Sequence, residues 1–96
     1  MDELLNSIGK STFVKYYDKF YLEQYSVQDI IQIMDLLENY TDNALKTKAS
    51  VGKRIFREHL EQEALIAITH AERVDEVTRN EAQLLLDIWF NVNHNG

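Results

Sequence analysis

The chain has 96 residues, of which 45% are hydrophobic, with no proline, three glycines, no cysteine and a formal net charge of −6. This composition predicts a folded domain rather than a disordered chain, and the scarcity of turn residues favours helices over strands. The lack of cysteine excludes disulfides, thiolate metal sites and cysteine nucleophiles. We find no secretory signal and no apolar run of the about 20 residues that cross a bilayer. We therefore expect a cytoplasmic protein with no membrane partner.

Apolar periodicity and capping residues predict the first three helices. A short N-terminal helix ends at Gly9, where glycine can adopt the left-handed conformation that closes many helices. An aromatic helix follows over residues 12–24. A third helix starts after Ser26, whose side chain forms a capping box with Asp29, and runs to about Tyr40.

Two longer helices complete the prediction. The fourth begins at a cap on Thr47 or Ser50 and reaches Ala71, and the fifth runs from Asp75 to about Val92. The sequence thus predicts an all-α fold in a single domain, residues 1–96. Its architecture is a compact bundle of four main helices, or five when the short N-terminal helix is counted.

The aromatic helix carries its rings on one side. At about 100° per residue its rings lie within an arc of about 140°, opposite the lysines; they are Phe13, Tyr16, Tyr17, Phe20 and Tyr21. A single-strand stacking platform needs cations beside the rings. We therefore predict a core or a dimer interface for this face.

One short segment has a charge opposite to that of the rest of the chain. Residues 46–57 contain no acid and five cations, namely Lys46, Lys48, Lys53, Arg54 and Arg57. We place this basic segment at a helix N-terminus, where free backbone amides attract anions and Gly52 allows close approach. The five cations are therefore candidate partner- or anion-binding residues, for a phosphate, a nucleic-acid backbone or an acidic protein. The alternative is a solvated helix start whose cations pair with the chain's own carboxylates.

The last helix carries more apolar side chains than one buried face accommodates. Residues 84–90 read LLLDIWF, and an exposed apolar patch of this size usually marks an interface. Twofold dimers are the commonest way to cover such a patch. We therefore predict a homodimer with an interface formed by Leu86, Ile88, Trp89 and Phe90.

The six residues RIFREH, 54–59, have the R-x4-H spacing that resembles the motif of HEPN domains, which are all-α and often act as dimeric RNases. Membership would imply that Arg54 and His59 lie in a cleft at a dimer interface and act on an RNA phosphodiester. The resemblance covers these six residues only. The family usually has a polar residue after the arginine, where this chain has Ile55.

No other motif indicates chemistry. Hydrolase, P-loop, dinucleotide-binding and zinc-protease patterns are absent from the sequence, so we predict no catalytic residue, no metal site and no cofactor. We expect a small non-enzymatic interaction or regulatory protein that acts as a homodimer and binds a macromolecular partner. A protein partner is favoured over nucleic acid because nucleic-acid-binding domains are typically basic. The alternatives are a nucleic-acid-binding regulator using residues 46–57, a HEPN-like RNase using Arg54 and His59, and an acidic mimic of nucleic acid.

Overall fold

A computed structural model describes the backbone of residues 1–94 and the side chains of residues 1–93. In that part of the chain the regular structure is helical, without strands, which confirms the all-α fold. The helices are α1 (Asp2–Ile8), α2 (Lys10–Lys15), α3 (Tyr17–Tyr21), α4 (Val27–Leu37), α5 (Asp42–Arg57), α6 (Glu61–Thr69) and α7 (Glu76–His94). The Cα radius of gyration of 12.9 Å matches the about 13 Å expected of a folded domain of this length. The helices therefore form one compact body.

Helix α5 is central to the packing. It contacts α1, α3, α4 and α6, whereas α7 packs against α6 and α2. The largest fully buried side chains come from six of the helices, and they are Phe13, Phe20, Leu5, Ile8, Ile30, Met34, Ile55, Leu65 and Ile68. Burial of such apolar side chains is the main source of stability in a chain of this length.

Three of the predicted helix termini are confirmed, whereas the third helix ends at Leu37 and not at about Tyr40. Ser26 Oγ accepts the Asp29 amide hydrogen at 3.1 Å, and Asp29 Oδ2 accepts the Ser26 amide hydrogen at 3.0 Å, which is the predicted capping box. Asp75 Oδ2 caps α7 by accepting the Thr78 amide hydrogen at 3.1 Å. Gly9 closes α1 at φ 87°, a backbone conformation that disfavours other residues.

The predicted helix over residues 12–24 is interrupted. Tyr16 leaves the helical conformation at φ −109° and ψ 20°, which separates α2 from α3. Its ring is buried, and its hydroxyl donates to Glu38 Oε2 at 2.7 Å, just beyond the end of α4. The same Glu38 carboxylate pairs with Lys15. A long-range contact therefore accompanies the break that the local periodicity did not reveal.

The predicted start of the fourth helix is wrong. Helix α5 begins at Asp42, because Thr41 Oγ1 accepts the Ala44 amide hydrogen at 3.2 Å and caps the helix there. Thr47 and Ser50 lie within the helix. The basic segment is consequently placed in the interior and the last turns of α5 and not at a helix N-terminus.

The predicted run to Ala71 is also broken. Helix α5 ends at Arg57, and the chain turns through residues 58–60 before α6. The Leu60 amide donates to the Ile55 carbonyl at 2.8 Å, and the His59 amide donates to the Phe56 carbonyl at 3.1 Å. These two bonds form a Schellman motif, in which the residue at the His59 position is left-handed. His59 has φ 58°, and this turn directs α6 away from the line of α5.

Candidate interaction surface on the last helix

The buried face of α7 is set by its packing against α6 and α2. Thr78, Ala82 and Leu86 follow one another at spacings of four, and each is less than a tenth exposed. Arg79 fixes the start of the helix by donating from Nη2 to the Ala71 carbonyl at 2.8 Å. The face that α7 turns inward is therefore well defined.

A second face of α7, about 120° around the helix from the buried one, carries exposed apolar side chains. Four side chains on it, here called the outer stripe, lie within an arc of about 80°; they are Val77, Leu84, Ile88 and Val92. Their exposed fractions are 72%, 54%, 51% and 69%, respectively. Scattered single apolar residues are normal on a protein surface, whereas a line of four along one helix is the pattern that marks an interaction site.

The four residues predicted as a dimer interface do not share one face. Leu86 is only 7% exposed and belongs to the core, so its assignment to an interface is corrected. Ile88 lies on the outer stripe, and Phe90 is about 160° away from it around the helix. Trp89 is half-buried, and its ring packs edge-on against Phe90 at 5.3 Å between centroids.

A groove adjoins the C-terminal half of the outer stripe. Its volume is about 490 Å³, and we call it the aromatic groove; its lining residues are Tyr17, Asp18, Tyr21, Phe56, His59, Glu61, Leu85, Ile88, Trp89, Val92 and Asn93. It brings together α3, the end of α5 and the turn after it, the start of α6 and the end of α7. The sequence analysis named His59, Ile88 and Trp89 separately, and the structure places all three along this groove.

The wall of the groove is held by ring packing around Phe56. Its ring centroid lies 4.9 Å from that of Tyr17 and 5.8 Å from that of Tyr21, both edge-on. Phe56 also stacks on the buried Phe13 at 5.9 Å. Edge-on and offset ring pairs are favourable arrangements for aromatic side chains. One wall of the groove is therefore packed directly against the hydrophobic core.

The charged side chains of the groove are acidic. Asp18 and Glu61 line it, and no lysine or arginine does so among the described residues. Burial, followed by the negative charge of Glu61, raises the pKa of Tyr17 to about 12. Tyr17 thus stays protonated near neutral pH, where it acts as a hydrogen-bond donor and not as a base.

The arginine and histidine of the HEPN-like motif have different surroundings. Arg54 Nε donates to Glu58 Oε2 at 2.6 Å on the exposed side of α5. His59 lies beyond the end of that helix and lines the aromatic groove, to which Arg54 does not contribute within the described chain. The two side chains are therefore not brought together in this groove.

His59, which lines the aromatic groove, has a left-handed backbone conformation that lowers the free energy of unfolding. Glycine is the usual residue at this position of a Schellman motif, because other residues pay about 1 kcal/mol or more there. We expect His59→Gly to raise the free energy of unfolding by about 0.5–1 kcal/mol. Urea denaturation followed by circular dichroism measures this change. The matched variant His70→Gly, at a residue with φ −100°, should destabilise, and a loss of stability in His59→Gly would contradict the account.

Two lysines of the basic segment have structural roles. Lys48 Nζ donates to the carbonyl of Ile8 at the end of α1, at 2.8 Å. Lys53 Nζ donates to the carbonyl of Leu22 just after α3, at 2.9 Å, and burial lowers the pKa of Lys53. A cation at a helix C-terminus satisfies free carbonyls and complements the helix dipole. Both lysines thus fasten α5 to its neighbours.

The other three cations of the basic segment lie on exposed parts of α5. Lys46 and Arg57 are exposed, and Arg54 forms its ion pair with Glu58. Gly52 does not leave room for an anion, because it is buried and a Cβ there would lie 2.5 Å from the Phe20 ring. The structure therefore does not support the reading of Gly52 as an approach point for a ligand.

Comparison with known proteins yields no relative for this chain. No family model, no curated protein and no solved structure matches it significantly. Among the described residues, no helix is long and apolar enough to span a membrane, and no three metal-ligating side chains cluster. The outer stripe and the aromatic groove are the surfaces of this chain that point to a function.

Proposed function

We propose that this protein is a non-enzymatic interaction module that works as a homodimer and binds a macromolecular partner. The observation that carries the proposal is the outer stripe, where four aliphatic side chains on one helix are each at least half exposed. Covering such a patch removes apolar surface from water, which is the main driving force of association. The absence of cysteine fits a reducing compartment, and we propose a cytoplasmic location.

A second copy is the occupant that best fits the outer stripe. Leu84 and Ile88 are one helical turn apart on it, so an antiparallel pairing of two α7 helices sets Leu84 of each copy against Ile88 of the other. This self-complementarity is the requirement of a twofold interface. Glu81 also lies within the arc of the outer stripe and is exposed, so its carboxylate works against the pairing and must remain solvated in the dimer.

The test of the dimer is Leu84→Glu. Twofold symmetry would bring two new carboxylates into one interface, so the dissociation constant should rise about 100-fold or more. Light scattering should then report a monomer whose helical circular dichroism is that of the wild type, because Leu84 is 54% exposed.

The control for Leu84→Glu makes the same change at the 86% exposed Leu36 of α4. Leu36→Glu should leave the dimer intact. The proposal fails if the wild type is a monomer at high concentration, or if Leu84→Glu remains as dimeric as Leu36→Glu.

The other candidate functions have less support. A nucleic-acid-binding regulator would use residues 46–57, but Lys48 and Lys53 donate to backbone carbonyls and Arg54 pairs with Glu58. An RNase would need Arg54 and His59 in one cleft, and of these two only His59 lines the aromatic groove within the described chain. Binding of RNA with a steep salt dependence, or RNA cleavage lost in His59→Ala, would favour these alternatives.

A further inference from the structure

We infer that the aromatic groove binds an amphipathic helix of a partner protein that carries lysine or arginine beside its apolar stripe. The inference names the partner chemistry for the interaction function proposed above, but it does not depend on the homodimer. It rests on three features of the groove, which are its helical walls, its apolar rim and the sign of its charges.

The walls of the groove favour a helix over an extended segment. They consist of α3, the end of α5 with the turn after it, α6 and α7, whose backbone groups are engaged in helical hydrogen bonds. An extended segment would find no strand edge to satisfy its own amides and carbonyls. A helix satisfies its backbone internally, and its side-chain ridges fit the space between packed helices.

The rim of the groove offers apolar contact. Tyr21 is 60% exposed on one side, and Ile88 and Val92 are at least half exposed on the other. The part of α7 that borders the groove, from Leu85 to Asn93, extends over about 12 Å, which corresponds to about two turns of a bound helix. Such helix-in-groove complexes are anchored by a few apolar side chains at spacings of three and four.

The charges of the groove select a basic partner. Asp18 and Glu61 are its only acidic or basic lining residues apart from His59 in the described chain. Asp18 is 63% exposed and has only an exposed contact with Lys19 at 3.2 Å, which contributes little. A second copy would present the outer stripe with the acids Glu81 and Asp87 on the same helix, so like charges oppose self-occupation of the groove.

The experiment uses Trp89 as its reporter, because it is the only tryptophan of the chain and it lines the groove. The probe is a tryptophan-free helical peptide of about four turns, with leucines at spacings of three and four and lysines on both flanks. The control peptide has glutamate in place of each lysine. The basic peptide should shift Trp89 emission to shorter wavelength, and it should bind at least about tenfold more tightly than the acidic peptide at low salt.

Two variants test the named residues. Asp18→Asn combined with Glu61→Gln should lower the affinity for the basic peptide by about fivefold, which is the combined effect of losing two exposed ion pairs. The matched control, Asp35→Asn combined with Glu63→Gln, neutralises two exposed acids elsewhere and should leave the affinity unchanged. Tyr21→Ala should lower the affinity for both peptides. Its circular dichroism spectrum should remain helical, which shows that the fold is retained.

The result that overturns the inference is an absence of binding, equal affinity for the two peptides, or an equal loss in the two double variants. Tight binding of single-stranded RNA that shifts Trp89 would also overturn it, since the groove would then serve another class of partner. Ile88 and Val92 belong to both the outer stripe and the rim of the groove, so the homodimer and the peptide are expected to compete for them. Leu84 does not line the groove, so measuring the peptide on the monomeric Leu84→Glu variant separates this outcome from that of the dimer test. A monomeric Leu84→Glu variant that still binds the basic peptide would support both proposals, and a monomeric wild type that binds it would support only this one.

Discussion

Replacing Phe13 with alanine should lower the free energy of unfolding by about 3–5 kcal/mol, the usual cost of deleting a fully buried phenyl ring. Phe13 is 0% exposed and contacts the rings of Tyr17, Phe20 and Phe56. Its removal leaves a cavity where the core meets the wall of the aromatic groove. Since small domains have only about 5–15 kcal/mol of stability, this change should leave the protein close to unfolding.

Urea denaturation followed by far-UV circular dichroism measures the effect of Phe13→Ala. Leu36→Ala is the control, because Leu36 is 86% exposed and its truncation should change stability by no more than about 0.5 kcal/mol. A loss below about 1 kcal/mol in Phe13→Ala would mean that the site collapses without a cavity, which contradicts the ring cluster described above.

Gly52→Ala should be the second most damaging change, by about 1–3 kcal/mol from overpacking. In an exposed helix interior the same substitution would stabilise by about 0.5–1 kcal/mol. Here the new Cβ would lie 2.5–2.6 Å from three atoms of the Phe20 ring. Because Phe20 is 1% exposed, its ring has nowhere to move, and α3 and α5 must separate.

A double variant identifies the cause of the Gly52 effect. Phe20→Leu removes part of the ring, so Gly52→Ala should cost less in the Phe20→Leu background than in the wild type. Ser50→Ala, on the exposed side of the same helix, should be neutral or slightly stabilising. If Gly52→Ala raises the midpoint of unfolding, helix propensity outweighs packing, and α5 does not approach α3 as closely as described.

Structural features that depend on residues close together in the sequence, such as helix caps, could be predicted. The caps at Ser26 and Asp75 depend on hydrogen bonds between residues three apart, and the close of α1 at Gly9 depends on its own φ. A local pattern contains all the information that such features need. For the same reason the helical class follows from periodicity.

Contacts between residues far apart in the sequence could not be predicted from local patterns. Lys48 and Lys53 bond to carbonyls 40 and 31 residues away, and nothing in their own surroundings distinguishes them from solvated lysines. Lysine has a long flexible stem, so several carbonyls are within its reach until the fold selects one. The structural roles of these two lysines therefore could not be predicted from the sequence.

The orientation of α7 could not be predicted from the sequence. Leu86 is predicted at the dimer interface together with Ile88, whereas the structure buries Leu86 with Thr78 and Ala82. A helix that is apolar around two thirds of its circumference does not indicate which third is exposed. The spacing of Leu84, Ile88 and Val92 at intervals of four was the available signal for an outer stripe, and packing against α6 and α2 was needed to recognise it.

Sedimentation velocity of the wild-type protein, from low to high micromolar concentration, tests the central claim most directly. An interaction module that pairs through the outer stripe should sediment with twice the 11.3 kDa mass of the chain, and dilution should produce a reversible shift towards the monomer. The same series with Leu84→Glu should show the monomer throughout. A wild type that keeps the mass of one chain at every concentration would contradict the homodimer and leave the outer stripe without its proposed occupant.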